Sequence, residues 1–131
     1  MLIDKVAWVR LEGGKVLSTR SRGKEVFYLP GGKREGGESD LETLVREIRE
    51  ELAVEILPGS VERLGVWEAQ AHGQSAGVTV RMSCYTADHR GTPTASSEIA
   101  EVDWLSYADR ERVAPVDQLI FDDLRAMGRL D

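Results

Sequence analysis

From Ser39 to Leu52 the chain reads SDLETLVREIREEL, and this stretch restricts the fold more tightly than any other. Ser39 and Glu42 have the spacing of a capping box, in which the serine hydroxyl takes the Glu42 amide and the Glu42 carboxylate takes the Ser39 amide. A helix over 40–52 is predicted. At 100 degrees per residue, Leu41, Leu44, Val45, Ile48 and Leu52 fall in an arc about 100 degrees wide, which must face a core. Glu47, Glu50 and Glu51, spaced i, i+3 and i+4, share a second stripe. The fold must therefore cover one side of this helix and find a use for the acid on the other.

The flanking residues supply the cover. Leu2–Leu11 reads as a strand, Glu12–Lys15 as a turn and Val16–Thr19 as a second strand, together a hairpin. Val26–Leu29 is a short aromatic strand ending at Pro30, and residues 31–38 form a loop with four glycines. Strands are expected at 54–56, 61–71, 78–87 and 99–105. The tail from 116 to 127 has Val116, Leu119, Ile120, Leu124 and Met127 at helix spacing. With 131 residues and no repeat or linker, the expectation is a single domain over 1–131. Its class is α+β, with a mixed sheet between helices.

Charge narrows the partners. Seventeen Lys and Arg against 23 Asp and Glu leave a net charge of −6. That balance suits neither a nucleic-acid backbone nor an anionic membrane, because both are gripped mainly by Lys and Arg. It does not exclude a small phosphorylated ligand if a cation mediates the contact. Cys84 stands alone, so no internal disulfide is expected. No apolar run approaches the ~20 residues of a membrane span, and Met1–Arg10 lacks the pattern of a signal peptide. A cytoplasmic location is the expectation.

The stripe of glutamates has two readings. Most such runs are solvated faces, and Arg46 could pair with Glu42 and Glu50. But Glu47 and Glu51 repel at i, i+4, at a cost of roughly 0.2–0.5 kcal/mol, where a solvated face would more naturally alternate signs. Clustered carboxylate oxygens are what Mg²⁺ takes, with substrate phosphates completing its shell. Gly31 and Gly32 just upstream let a backbone approach closely. Loop and stripe together suggest a pocket for a metal-bound phosphate.

Gly32, five residues, Glu38, seven residues, and then REIREELAV over 46–54 resembles the Nudix box. Leu29-Pro30-Gly31-Gly32 resembles the approach to it. One position departs: Ala53 stands where the family usually has glycine. The resemblance implies the Nudix fold, an α/β/α sandwich around a mixed sheet. It implies Mg²⁺- or Mn²⁺-dependent hydrolysis of a nucleoside diphosphate linked to another moiety. It makes Glu50 and Glu51 the main metal ligands, Glu47 a further one, and Gly32 the source of a nearby carbonyl. It makes Glu38 and Arg46 the pair that fixes loop against helix. Many similar proteins carry a general base or extra ligand in the loop before a late strand, which makes Glu98 the candidate; Glu101 reads as a structural or solvated residue. The partner implied is a small nucleotide, and a homodimer is compatible with the resemblance.

Tyr28, Phe27 and Trp67 are candidates to wall a base pocket, against the commoner reading of core aromatics. Lys33 is the candidate phosphate contact. Asp117, Asp122 and Asp123 read as a solvated face of the last helix, with base recognition as the alternative. The proline typical of ADP-ribose-specific relatives and the tyrosine of dinucleoside-polyphosphate enzymes are both absent. The remaining expectation is hydrolysis of a (deoxy)nucleoside triphosphate to monophosphate and pyrophosphate, including oxidised-nucleotide sanitation. An ADP-ribose or nucleotide-sugar pyrophosphatase and a non-catalytic nucleotide-sensing domain are the alternatives.

Overall fold

The computed structural model describes residues 1–74 and 76–131. Strands are β1 (Leu2–Trp8), β2 (Leu11–Glu12), β3 (Lys15–Ser21), β4 (Gly31–Lys33), β5 (Glu55–Ile56), β6 (Glu62–Gln70), β7 (Thr79–Thr86), β8 (His89–Arg90) and β9 (Ile99–Leu105). Helices are α1 (Asp40–Leu52) and α2 (Pro115–Ala126). Four strands form a sheet in the order β4-β1-β7-β6. It is mixed, because β1 and β7 run parallel while β4 and β6 are antiparallel to their neighbours. A second sheet joins β2, β3 and β9, and β5 pairs with β8.

Successive side chains on a strand point to opposite faces, and β1 with the residue after it uses both. Val6 and Trp8 pack with Leu44, Ile48 and Leu52 of α1. Ala7 and Val9 pack with Ile120, Phe121 and Leu124 of α2. The sheet is thus buried on both sides, which is the α/β/α sandwich expected. Helix α1 has the predicted bounds, and both arms of the capping box are made. Its first turn is tied down by Asp40, which accepts from the Tyr85 hydroxyl and from Arg34. Arg34 also reaches Asp4 on β1 at 3.1 Å.

Several expectations need correction. The first strand does not fold back on itself: β1 leaves the hairpin at Val9–Arg10 to enter the four-stranded sheet, and only β2 pairs with β3 in the hairpin. Residues 26–29 make isolated bridges from Tyr28 to Thr19 and from Phe27 to Val113, not a strand. The glycines of the expected loop form β4, with Gly32 opposite Val6 and Gly31 opposite Ala7. Leu41 is 38% exposed, since Thr43 takes the buried face of that turn. Helix α2 is rotated from its predicted face: Asp117 and Phe121 are buried, while Leu119 and Met127 are exposed. The stripe of Val116, Ile120 and Leu124 fits either flank, and the bulk of Phe121 decides.

Candidate active site

The glutamates of α1 differ in environment. Glu51 lies only about 20 degrees from Leu44 around the helix, so it is drawn in with the apolar face. It is 7% exposed, and its Oε1 accepts the Gly31 amide at 3.0 Å. Burial pushes its carboxyl up to about 8; the Gly31 amide opposes this, and the charges of Glu47 and Glu98 add to it. Glu47 is half-buried and also raised by burial, with Arg46 opposing. Glu50 is exposed, with an oxygen 3.5 Å from Arg46.

Arg46 organises the helix against the strand before it. Its Nε and Nη2 grip Glu38 at 2.7 and 2.9 Å, a two-pronged contact that fixes direction as well as distance. Nη1 donates to Glu47 at 3.0 Å and Nη2 to the Lys33 carbonyl at 3.1 Å. Glu38 also accepts from the Thr43 hydroxyl and the Glu35 amide. With Arg46 as the main cause, the Glu38 carboxyl falls to about 2. The expected pairing of Glu38 with Arg46 is therefore present.

The two glycines are required by close approach. A Cβ on Gly32 would stand 2.5 Å from the Glu47 carboxyl. One on Gly31, whose φ is +150°, would stand 2.0 Å from the Val6 carbonyl oxygen.

Gly31, Gly32, Glu47 and Glu51 border a pocket of about 320 Å³ whose lining also includes Glu98, Tyr28, Lys5 and Met82, while Glu38, Arg46 and Glu50 lie outside that lining. Lys33 also faces it. Glu98 arrives from a loop held to the end of α1, where the Ser96 and Thr94 amides donate to the Glu51 and Leu52 carbonyls. The Ser97 hydroxyl, 2.6 Å from Glu98, holds that carboxyl below its usual range. Ser97 has φ +55°, a left-handed conformation uncommon outside glycine.

Phe27 does not belong to the site. It is 5% exposed in the core, with the Arg112 guanidinium 4.9 Å from its ring. Trp67 packs beside the same core and donates its indole NH to Asp123 at 2.7 Å. Asp122 is held by Arg110 and Tyr107. The reading of Asp117 as solvated is overturned: it is fully buried, accepts the Leu29 amide at 2.6 Å, and is raised by burial to about 7. Lys5 was missed by the sequence reading. Its signal was a lone lysine on the inward register of a strand that is otherwise apolar there.

Among the described residues, no three acidic or imidazole side chains already converge as a metal cage. Glu47 is turned to Arg46 and Glu51 to Gly31. The donor set nonetheless fits a hard divalent cation. It offers carboxylate oxygens, a buried glutamate whose charge burial disfavours, and a glycine strand with no side chain to fill the space.

A glycine strand packed on an acidic helix borders the pocket, and the family to which the chain belongs makes it a hydrolase acting on pyrophosphate bonds. The NUDIX domain model matches residues 3–124, and the chain belongs to that family. No curated protein matches it. Among solved structures it is similar to the ORF135 protein of E. coli, with 28% identity over 99% of this chain and 95% of that one, at a TM-score of 0.74. It shares its fold with the MutT protein of Methanosarcina mazei Go1, with 20% identity over 98% and 96% of the chains and a TM-score of 0.76. It shares it also with a NUDIX hydrolase from Nitrosomonas europaea, with 23% identity over 99% and 93% and a TM-score of 0.75.

Proposed function

We propose that the domain over 1–131 hydrolyses a (deoxy)nucleoside triphosphate to the monophosphate and pyrophosphate, with oxidised nucleotides within its range. The observation that carries this reading is Glu51, a carboxylate buried at the pocket mouth beside Glu47 and the Gly31–Gly32 strand. Glu47, Glu50 and Glu51, with the Gly32 carbonyl, are the residues to hold Mg²⁺ or Mn²⁺. Such an ion neutralises pyrophosphate charge and lowers the pKa of water.

The rest is done by the chain. Arg46, locked to Glu38, fixes Glu47 and the Lys33 carbonyl relative to each other. Lys33 offers its ammonium to the phosphates. Tyr28 offers a ring face to the base. Glu98 takes a proton from the attacking water; the water oxygen bonds to phosphorus, and the bond to the departing pyrophosphate breaks. Ser97 keeps Glu98 ionised and able to accept that proton. The acidic balance of the chain is consistent with a polyanionic substrate only through the cation.

The test is release of pyrophosphate from a nucleotide panel that includes ADP-ribose and a nucleotide sugar, with Mg²⁺ and with EDTA. Release of pyrophosphate from triphosphates, abolished by EDTA and by Glu51→Gln, is expected. Turnover that ignores EDTA would remove the metal role. Tight binding without turnover would favour a sensor, and preferential cleavage of ADP-ribose or the nucleotide sugar would reassign the substrate.

A further inference from the structure

Lys5 is a charged group of the pocket lining with no part in the chemistry above. Lys5 sits on β1, between Met82 of β7 and Lys33 of β4 in register. It projects from the face that carries Ile3, Ala7 and Val9, opposite the face that packs on α1. Its Nζ lies 5.3 Å from the centroid of the Tyr28 ring. Burial lowers the Lys5 ammonium from its ordinary range, and the negative charge of Asp117 on α2 opposes this. Asp117 gives one oxygen to the Leu29 amide, and its other oxygen, Oδ1, is buried without a hydrogen-bond partner.

The surroundings suit a base better than a phosphate. Tyr28, Met82, Val80 and Val116 give the pocket apolar walls around Lys5. A nucleobase is flat, apolar on its faces and polar along its edge. An ammonium carries three donors and no acceptor. It can meet a ring carbonyl, but it opposes an exocyclic amino group donor to donor.

We propose that Lys5 is a specificity-determining residue that reads the nucleobase edge, donating from its ammonium to the carbonyl oxygen at C6 of a purine or C4 of a pyrimidine. The pocket then favours keto bases (guanine, thymine) over their amino counterparts (adenine, cytosine). The inference rests on the nucleotide reading above and deepens it.

Two measurements on the full chain separate the claims. The first is kcat/KM for dGTP, dATP, dTTP and dCTP with Mg²⁺. The second is the dissociation constant of each matching nucleoside monophosphate without metal, by calorimetry. Wild type is expected to prefer dGTP to dATP and dTTP to dCTP in both. Lys5→Met, similar in length but uncharged, should shrink those ratios about 10- to 100-fold. Lys5→Arg should keep their direction. An unchanged ratio in Lys5→Met overturns the proposal. So does an equal loss for all four bases, which would make Lys5 a phosphate contact. Wild-type preference for amino bases, or none, overturns it even if Lys5→Met does not fold. If no triphosphate is cleaved, the hydrolysis reading fails while the monophosphate affinities still decide the role of Lys5.

Discussion

At the α1 wall of the pocket, the groups clustered around the acid come from residues 31–51, whereas the facing wall draws Lys5 from β1, Tyr28 from the approach to β4 and Asp117 from α2. Each wall buries a carboxylate and pays for it differently. Glu51 has the Gly31 amide as its hydrogen-bond donor and faces the pocket. Asp117 is sealed off, accepts the Leu29 amide and is drawn to Lys5. The first arrangement leaves a charge that an incoming cation can satisfy. The second is closed to an incoming ion, and its carboxyl is held towards the protonated form by burial. On the proposed function, the difference separates a wall that performs chemistry from a wall that selects.

The comparison is tested most severely at Glu51. Glu51→Gln keeps the shape and the acceptor for Gly31 but removes the charge. A loss of roughly 100- to 1000-fold in kcat is expected, the scale seen when a preorganised electrostatic contact is removed. Thermal stability without metal should hold or rise, because the variant no longer buries an ionisable carboxyl. A variant with near wild-type kcat would show that the acidic wall is not the working one.

The pH dependence of metal-free stability comes next. Glu51 and Asp117 both have folded values above their ordinary ones, near 8 against 4.5 and near 7 against 3.8. The folded state therefore binds protons more tightly than the unfolded one. The stability this confers is full below about pH 4 and is lost as pH rises through 7 and 8. Each group contributes a slope of at most about 1.4 kcal/mol per pH unit. In EDTA, the melting temperature should fall between pH 5 and 8.5. Glu51→Gln and Asp117→Asn should each flatten the curve. Saturating Mg²⁺ should flatten the Glu51 part and leave the Asp117 part. If Mg²⁺ erased both, the two walls would be one site electrostatically.

The same contrast explains what was legible in the sequence. Helix α1 and its cap follow from short-range spacing and the Glu38–Arg46 pair from the resemblance to the Nudix box, and the structure has them. Glu51 on the border of the apolar arc could be read from the helix period alone. The facing wall could not, because it depends on where β1 goes. The apolar-rich run from Leu2 to Leu11 gives no sign that the chain changes sheets at Val9–Arg10. That change puts Lys5 inward beside Met82 and not on a hairpin. Asp117 was hidden by an ambiguity of phase: Val116, Ile120 and Leu124 fit either flank of α2, and burial of Phe121 takes Asp117 inside. Phe27 misled in the opposite direction, since an aromatic beside a site is indistinguishable in sequence from one in the core.

A smaller effect sharpens the account of the acidic wall. Arg46→Lys keeps the charge but loses the fork that spans both Glu38 oxygens, Glu47 and the Lys33 carbonyl. Activity should fall about 10- to 100-fold, as when a supporting contact to a ligand residue is lost. The apparent Mg²⁺ requirement should rise in step. A fall in kcat with unchanged Mg²⁺ dependence would instead assign Arg46 to the substrate.

The smallest effect concerns Ala53, where the family's usual glycine is missing. Its φ of 57° and ψ of 32° place it in the left-handed region as the C-cap of α1, with its amide donating to the Arg49 carbonyl at 3.1 Å. A Cβ is disfavoured in that conformation, by about 1 kcal/mol. Glycine removes that strain but gives the unfolded chain more freedom to lose, which offsets part of the gain. Ala53→Gly should therefore be neutral or stabilising by up to about 1 kcal/mol, read as a shift of the urea midpoint with unchanged slope. Activity should not change, because Ala53 supplies no side-chain oxygen and its backbone hydrogen bond is kept. The Leu52 and Glu51 carbonyls next to it hold the Thr94 and Ser96 amides, and through them the loop of Glu98. A clear loss of stability in this variant would mean that the alanine methyl packs productively at the helix end and that the left-handed cap is not under strain.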